Sequence, residues 1–321
     1  MKKKKVIKCL KIILPLLLGV FLITISIYRS TEEERNQLYE NIIHADLFYV
    51  FLSLFCGFSS HLSRAYRWKF LLAPLGYKIK LHNSFMAVMS GYLANLGIPR
   101  SGEVLRAASV ANYEKIPFEK AFGTIISERV ADLIMLLLIL SIAFISQTEY
   151  ILMVMDNYQI NPFMGVLALI ILFSLGLLFL RLLKKSTIPI IVKVRDFGKG
   201  ILEGMKSILS MKNKFAFIFH TFFIWGMYLL MFFLIKFAVP GASIIDMGQI
   251  LVAFVVGSFA ISVTNGGIGV YPIAIGAVLA LYGINQQTGE AFGWVVWGSQ
   301  TLLNLIIGGL SIILMPLVNK K

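Results

Sequence analysis

The sequence predicts an all-α polytopic membrane protein with about six spanning helices and two re-entrant helical hairpins, arranged as an inverted-topology repeat. Three observations support this fold class. The chain is 58% hydrophobic with a mean hydropathy of +0.82, and it contains several apolar runs of about the 20 residues that cross a bilayer. Two further apolar segments are interrupted by clusters of Gly, Asn and Pro. Basic residues concentrate in alternate loops, as the positive-inside rule requires.

The apolar runs set the positions of the spanning helices. The first run follows a basic start and is not followed by a small-residue cleavage site, so we expect a retained helix rather than a signal peptide. Polar stretches after the first and third helices are predicted to be outer loops. The six predicted helices cover about residues 10–28, 47–61, 121–146, 162–183, 215–238 and 291–318.

The two interrupted segments, at about 84–112 and 247–282, contain the stretches GYLANLGIPRSGEVLR and GSFAISVTNGGIGVYP. A helix cannot run straight through Pro99 with glycines on either side, so the backbone must open and expose amide and carbonyl groups. In hydrocarbon those groups need protein or water as partners. We therefore predict a re-entrant hairpin at each segment, with its tip in a mid-membrane cavity. Two kinked spanning helices without a ligand are the alternative.

The basic residues predict the orientation of the chain. With the N-terminus in the cytoplasm, 24 of the 30 Lys and Arg residues lie on the cytoplasmic side. This count requires the first hairpin to enter from the cytoplasm and the second from outside. The chain is then one integral membrane domain, in which inverted halves at about 10–146 and 162–318 are joined through the outer loop 147–161. We expect a multi-pass protein of a bacterial inner membrane with both termini in the cytoplasm.

A basic segment at 184–214 is predicted to lie along the cytoplasmic membrane surface. Its apolar residues recur at helical spacing opposite lysines, a pattern typical of a helix on an anionic bilayer. The net charge of +14 therefore indicates topology, and nucleic acid is not an expected partner.

Charged residues in the first hairpin and at the start of the helix at 121–146 form the candidate site for an anion such as a lipid phosphate. A guanidinium group stays charged when buried and binds phosphate bidentately, and nearby carboxylates would hold the arginines in place while the site is empty. The same residues also fit a structural ion-pair cluster, and both interpretations can hold at once. The arginines are Arg100, Arg106 and Arg129, and the acidic residues are Glu103, Glu128 and Asp132.

Other candidate residues lie in the hairpins and after the second predicted helix. Asn95 and Asn265 occupy matching places in the two hairpins, where half-helix ends could add backbone amides to an anion site; capping or an interhelical hydrogen bond is the alternative. Tyr271 is predicted to shape the cavity. Arg64 and Arg67 could attract lipid headgroups at the cytoplasmic entrance, or could simply anchor their helix at the interface.

The sequence contains no recognisable catalytic or cofactor motif. The four histidines form no HExxH pair, and the nucleophile elbow, the Walker A loop and the Rossmann fingerprint are missing. The two cysteines have no metal-ligand spacing. We therefore expect neither a metal nor a soluble cofactor, and we do not expect an enzyme.

Four motifs occur along the chain in the order RAYRWKFLL, GYLANLGIPRSGEVLR, SERVAD and NGGIGVYP. Together they resemble the lysylphosphatidylglycerol synthase transmembrane, or flippase-like, family. The resemblance implies a membrane domain with two re-entrant hairpins that moves or binds lipid. In the two-part aminoacyl-lipid enzymes of this family a soluble synthase follows the membrane domain. The present sequence ends at Lys321, so synthesis of lysylphosphatidylglycerol is not expected of this chain.

These observations lead to one main functional hypothesis and two alternatives. The main hypothesis is a flippase-like translocase of an anionic phospholipid or a polyprenyl-phosphate-linked lipid. The first alternative is a non-transporting, lipid-binding membrane partner of a separate glycosyltransferase or lipid synthase. The second is an integral-membrane enzyme that acts on a polyprenyl-phosphate lipid with Glu103 or Glu128 as acid or base.

Overall fold

The computed structural model describes residues 17–98, 100–157 and 211–320, and the regular structure within these residues is helical throughout. Short 3₁₀ turns follow three of the helices, and the last of these turns lies between the arms of the second hairpin. The helices are α1 (Leu17–Arg29), α2 (Glu32–Ile43), α3 (Leu47–Leu72), α4 (Leu81–Gly97), α5 (Ser101–Tyr113), α6 (Phe118–Ser146), α7 (Thr148–Asn157), α8 (Lys214–Ala238), α9 (Met247–Val263), α10 (Val270–Leu281) and α11 (Gln286–Val318).

Three of the described helices, α6, α8 and α11, are each long and apolar enough to cross a membrane. Helices α2 and α3 pass the same test together as a span bent by 68°. The all-α membrane fold class is therefore confirmed, and three predicted spans correspond to α6, α8 and α11. The predicted helix at 162–183 and most of the predicted surface segment at 184–214 lie outside the described residues, as does the start of the first predicted helix.

The two predicted outer loops contain helices, which corrects the sequence interpretation. Helix α2 begins with a capping box, in which Thr31 Oγ1 accepts from the Glu34 amide and the Glu34 carboxylate accepts from the Thr31 amide. Three glutamates in its first turn also interact favourably with the helix dipole. Local capping thus produces a helix in a stretch too polar to span a membrane. Helix α7 occupies most of the second predicted loop.

Both interrupted segments are helical hairpins. In the first, α4 and α5 approach so closely that a Cβ atom on Gly102 would overlap the carbonyl oxygen of Gly91. The chain reverses at Arg100, whose φ of 61° is in the left-handed region. In the second, Gly257 of α9 lies against the ring of Tyr271, and three glycines in the turn between the arms have positive φ.

Hydrogen bonds show that the hairpins start from opposite faces of the molecule. At one face, Asn83 near the start of α4 donates to Glu114 just after α5 (2.7 Å) and to Asn319 after α11 (2.9 Å). At the other face, the Asp46 amide donates to the carbonyl of Ala238 (2.8 Å), close to the start of α9. At that second face, the Cβ position of Gly241, before α9, is 3.6 Å from Thr288, after α10. Each hairpin therefore returns to the face from which it entered, as predicted.

The hairpins lie between long helices that pack tightly. Helices α3 and α8 are antiparallel, with Ser53 Oγ donating to the Met231 carbonyl (2.9 Å) and Ser63 paired with His220 (2.8 Å). Helix α4 packs on α11, and α9 packs on α6. The order long helix, hairpin, long helix thus occurs twice in opposite orientation. The helices that would complete each half lie partly or wholly outside the described residues, so the inverted repeat stays a prediction.

Candidate functional site

A cavity of about 1270 Å³ lies where the tips of the two hairpins meet. Leu96 of the first tip is within 3.0 Å of the position that a Cβ atom on Gly266 of the second tip would take. Helices α3 to α6 form one wall of the cavity, and α8, α9, α10 and α11 form the other. The volume exceeds that of most small-molecule sites, so the cavity is large enough for a lipid headgroup and part of its chains.

The first wall contains a buried network of ion pairs. Glu128 and Asp132 are four residues apart on α6, so their carboxylates lie on one face of the helix, towards α3. The guanidinium of Arg64 lies between them, with Nη1 at 2.5 Å from Glu128 Oε1 and 2.6 Å from Asp132 Oδ2. The short motif SERVAD thus supplies two acceptors for one arginine of a different helix.

Two further arginines surround Glu128 on the side away from the cavity. Arg106 makes a bidentate pair with its carboxylate, at 3.1 and 2.9 Å, and its guanidinium lies 3.9 Å from the ring centroid of Trp68. Arg67 donates to Thr221 Oγ1 (2.7 Å) and pairs with Asp132 (3.2 Å). Glu128 and Arg67 are both 0% exposed, so this part of the network is closed to a ligand.

Two arginines of the first wall remain accessible from the cavity. The Arg129 side chain is 41% exposed and pairs with Glu103 (3.1 Å) and more distantly with Asp132 (3.4 Å). Arg100 lies at the hairpin tip, lines the cavity and has no ion-pair partner among the described residues. The network of four arginines and three carboxylates has a surplus of one positive charge, and Arg100 raises it to two.

The structure brings the predicted charged residues together but divides them into two groups. The cavity is lined by some of them, whereas Arg106 and Glu128 lie behind it in the closed part of the network. The alternative of a structural ion-pair cluster therefore describes the closed part well. The predicted residues that line the cavity are Arg64, Asn95, Arg100, Glu103, Arg129, Asp132 and Tyr271.

The structure contradicts an exposed interfacial position for Arg64 and Arg67. Helix α3 continues to Leu72 rather than ending before these residues, and they are 3% and 0% exposed. The physical reason is the pair of carboxylates on α6, which compensates two buried guanidinium groups inside the helix bundle. Arg64 lines the inside of the cavity instead of its entrance.

The two asparagines do not hold equivalent places. Asn95 lies within α4, and its Oδ1 accepts from the Gly102 amide at 2.8 Å, so it caps the start of α5 and closes the first hairpin. Asn265 follows the end of α9 in the turn itself, and its side chain lies outside the described part of the structure. The second tip is held by a residue of α11 instead: Trp297 Nε1 donates a hydrogen bond to the Gly266 carbonyl at 2.7 Å.

The second wall consists of neutral polar and aromatic side chains that the sequence analysis did not identify. On α11 these residues recur at positions 297, 300, 301 and 304, which is one face of a helix. A polar stripe at this spacing inside an apolar helix is the signal that could have revealed the wall. Its residues include Trp225, Tyr228, Ser258, Trp297, Gln300, Thr301 and Asn304.

The exposed residues at the rim of the cavity are mostly apolar, although Arg100 and Ser262 are among them. Ile98 of the first tip is 51% exposed, Val263 of the second tip is 52% exposed, and Leu133 of α6 is 47% exposed. These residues lie at the depth of the hairpin tips, within the span of the long helices. The cavity thus has a polar interior beside an apolar opening. Among the described residues, no group of His, Cys, Asp or Glu is arranged to hold a metal ion.

Comparison with known proteins agrees with this architecture. The sequence model of the family described as Lysylphosphatidylglycerol synthase TM region matches residues 12–308, which is nearly the whole chain. The chain belongs to this family. The match includes both hairpins and the helices that supply the two walls of the cavity, and it confirms the family resemblance of the four motifs.

The UPF0104 membrane protein of Methanocaldococcus jannaschii is a distant relative of this chain. The two sequences are 31% identical over 100 residues, a stretch that covers 30% of each protein. The alignment thus spans less than a third of that relative. No solved structure matches the chain. Membership of the family and its spanning helices make the chain a multi-pass membrane protein.

Proposed function

We propose that this protein binds the headgroup of an anionic lipid in the cavity and moves that lipid from one side of the membrane to the other. The observation that carries the proposal is the combination of a surplus of positive charge inside the cavity with an exposed apolar rim. An anionic phospholipid or a polyprenyl-phosphate-linked lipid has the matching chemistry, and we propose no covalent reaction.

The charge surplus favours a phosphate. Arg100 lines the cavity without an ion-pair partner among the described residues, and a phosphate diester supplies one negative charge with several acceptor oxygens. Arg100 and Arg129 are the groups best placed to meet it, because both line the cavity and neither is enclosed by carboxylates on all sides. Arg64 forms the floor behind them.

The rim favours a lipid over a soluble anion. A soluble phosphate would need a hydrated path, whereas Ile98, Val263 and Leu133 present an apolar border. Such a border lets acyl or prenyl chains stay in the bilayer while the headgroup enters the cavity, and the cost of exposing those chains to water is avoided. The binding site and the bilayer are then continuous.

The opposed hairpins supply a means of alternating access. Each tip is a short turn between two α-helices, and the two tips meet at the cavity from opposite faces of the protein. Displacement of one tip relative to the other would open the cavity to one face at a time.

The proposed orientation places the N- and C-termini in the cytoplasm of a bacterial cell. The face that contains Asn83 and Asn319 also carries Lys78, Lys80 and Lys115, whereas the opposite face carries the glutamates of α2. Basic residues are enriched on the cytoplasmic side of membrane proteins. This distribution supports the orientation that the sequence predicts.

The test is lipid movement in proteoliposomes that contain wild type, Arg100→Asn or Lys115→Asn. Arg100 and Lys115 are the two non-glycine residues with positive φ among the described residues, at 61° and 57°, and asparagine tolerates that conformation. Each variant therefore removes one charge without straining the backbone, but only Arg100 lines the cavity. We expect Arg100→Asn to slow the movement of a fluorescent phosphatidylglycerol about tenfold, the effect of losing roughly 1.4 kcal/mol of charge-assisted binding.

Lys115→Asn should move lipid at the wild-type rate. Equal rates for the two variants would remove Arg100 from the site. If wild type binds the lipid but liposomes with and without protein show the same movement, the translocase proposal is wrong. The cavity would then belong to a non-transporting partner of a separate glycosyltransferase or lipid synthase, and such an enzyme should copurify with it in mild detergent.

A further inference from the structure

The second wall of the cavity contains polar atoms that the proposed phosphate site does not use. Trp225 Nε1, Gln300 Nε2 and Asn304 Oδ1 are buried and have no hydrogen-bond partner among the described residues. All three residues line the cavity, and Trp225 is only 8% exposed. Buried polar atoms are nearly always hydrogen-bonded, so these atoms indicate a partner that enters the cavity.

All three atoms belong to uncharged groups. They comprise two N–H donors and one carbonyl acceptor, and the hydroxyls of Ser258 and Thr301 lie on the same wall. A charged ligand group would gain little there, because the described residues of that wall include no Asp, Glu, Lys or Arg. A hydroxyl group donates one hydrogen bond and accepts two, so it can satisfy both kinds of atom.

Helix α3 contacts both the neutral wall, at Gln300, and the ion-pair network, at Arg64, so it sets the distance between them. The Gln300 amide packs over Gly57, where a Cβ atom would lie 2.8 Å from its Oε1. Arg64 lies seven residues further along the helix, which is about 10 Å at 1.5 Å per residue. His61 lies between them, with its ring centroid 4.6 Å from that of Tyr92. One extended headgroup can therefore reach both groups.

We infer that the cavity selects a lipid whose phosphate carries a neutral, hydroxyl-bearing unit, such as a glycerol, an inositol or a sugar. The phosphate lies at Arg64, Arg100 and Arg129, and the hydroxyls bind Gln300, Asn304 and the indole N–H of Trp225. The inference rests on the proposed function and narrows its substrate class. It separates such lipids from those that end in an ammonium group or an alkyl group.

The experiment is a binding measurement on the full-length purified protein in detergent micelles, read by native mass spectrometry with lipids of identical acyl chains. Phosphatidylethanol is the matched reference, because it has the same phosphodiester charge as phosphatidylglycerol and phosphatidylinositol but no hydroxyl. Phosphatidylethanolamine tests the ammonium alternative. We expect wild type to bind phosphatidylinositol about tenfold more tightly than phosphatidylethanol, as two additional hydrogen bonds of ordinary strength would give.

The variant Gln300→Met/Asn304→Leu removes the amides with little change of volume. It should lose the tenfold preference and keep the affinity for phosphatidylethanol. Trp225→Phe tests the same wall without disturbing the amides and should reduce the preference about threefold. Ser299→Ala is the control, because Ser299 is next to Gln300 but bonds the Val296 carbonyl of its own helix (3.0 Å). Melting temperatures establish that each variant is folded.

The outcomes separate this inference from the proposed function. If wild type binds the three anionic lipids equally, and Arg100→Asn weakens all three, the phosphate site holds and the hydroxyl site does not. A preference that survives in Gln300→Met/Asn304→Leu also overturns the inference, since ordered water then satisfies those atoms. Tighter binding of phosphatidylethanolamine than of phosphatidylglycerol overturns it as well. If no anionic lipid binds better than a zwitterionic one, the proposed function itself fails.

Discussion

The two hairpins each begin with an arm of 17 residues, but they are stabilised by different interactions. Between Ser101 and Tyr113 the first hairpin carries Glu103 and Arg106, and Arg106 joins the buried ion-pair network through Glu128 of α6. The second hairpin contains no Asp, Glu, Lys or Arg between Met247 and Leu281. It is fixed instead by close apolar packing, in which Gly293 of α11 lies directly against Pro272.

This difference explains why the cavity is charged at one wall and neutral at the other. Ion pairs fix the first hairpin through a few strong, directional contacts with α6, and they leave a surplus of charge beside the cavity. Close packing at glycines fixes the second hairpin through many weak contacts, and this packing leaves no surplus of charge beside the cavity. A hairpin in this fold can thus be stabilised either by ion pairs or by close packing at glycines. Which of the two is used determines what the cavity can bind.

Glu128→Ala should have the largest effect on stability. It removes the carboxylate that pairs with Arg106 and one of the two carboxylates that pair with Arg64, in a site that is closed to water. Removing one partner of a buried ion pair costs about 3–5 kcal/mol. We expect a correspondingly lower unfolding free energy in detergent, or no folded protein. Glu119→Ala is the control, since Glu119 is an exposed residue of the same helix, and an equal loss there would contradict the proposed role of the network.

Gly102→Ala should have the next largest effect. The new methyl group would overlap the carbonyl oxygen of Gly91 and the side chain of Asn95, and a backbone atom cannot move aside without opening the hairpin. Overpacking of this kind costs about 1–3 kcal/mol. Gly257→Ala in the second hairpin should cost less, because it meets the Tyr271 ring, a side chain that can rotate.

The matched control for both glycines is Gly97→Ala, because no atom lies within 4 Å of its Cβ position. Thermal unfolding of the three variants in one detergent gives the ranking. Equal melting temperatures for Gly102→Ala and Gly97→Ala would contradict the close contact between Gly91 and Gly102 in the first hairpin.

Trp297→Phe should loosen the second tip. The substitution removes the N–H that donates to the Gly266 carbonyl at 2.7 Å and leaves that acceptor without its protein partner. The expected cost is about 1–3 kcal/mol. Protease sensitivity of the turn at residues 264–269 measures the effect. Trp294→Phe is the control, because it removes an indole N–H from the same helix but leaves the bond to the tip intact. The turn should then be as resistant to protease as in wild type.

Asn95→Ala should have the smallest effect, on the first tip. The Gly102 amide loses the acceptor Asn95 Oδ1, and loss of such a helix cap costs about 1 kcal/mol. The ion pairs of Arg106 and Glu103 remain, so the hairpin stays closed. We expect faster hydrogen exchange of the Gly102 amide, with little change at Gly91. Unchanged exchange at Gly102 would show that another group caps α5.

Local sequence features are sufficient to predict the class of protein and the positions at which its helices are interrupted. Runs of apolar residues long enough to span a bilayer produce α6, α8 and α11, because a spanning helix needs only local composition and length. Glycine and proline clusters interrupt α4–α5 and α9–α10 for equally local reasons. Four short motifs were sufficient to indicate the family that residues 12–308 match.

Which polar residues face the cavity depends on how the helices pack. Arg64 and Glu128 are 64 residues apart, so nothing in the local sequence shows that a carboxylate pair on α6 compensates an arginine of α3. For the same reason Arg67 looks like an interfacial anchor in the sequence but is fully buried in the structure. Gln300 and Asn304 became site residues because α11 packs against the first hairpin and presents that face to the cavity. Composition and spacing are properties of one segment, whereas burial and charge compensation depend on the neighbours that the fold supplies.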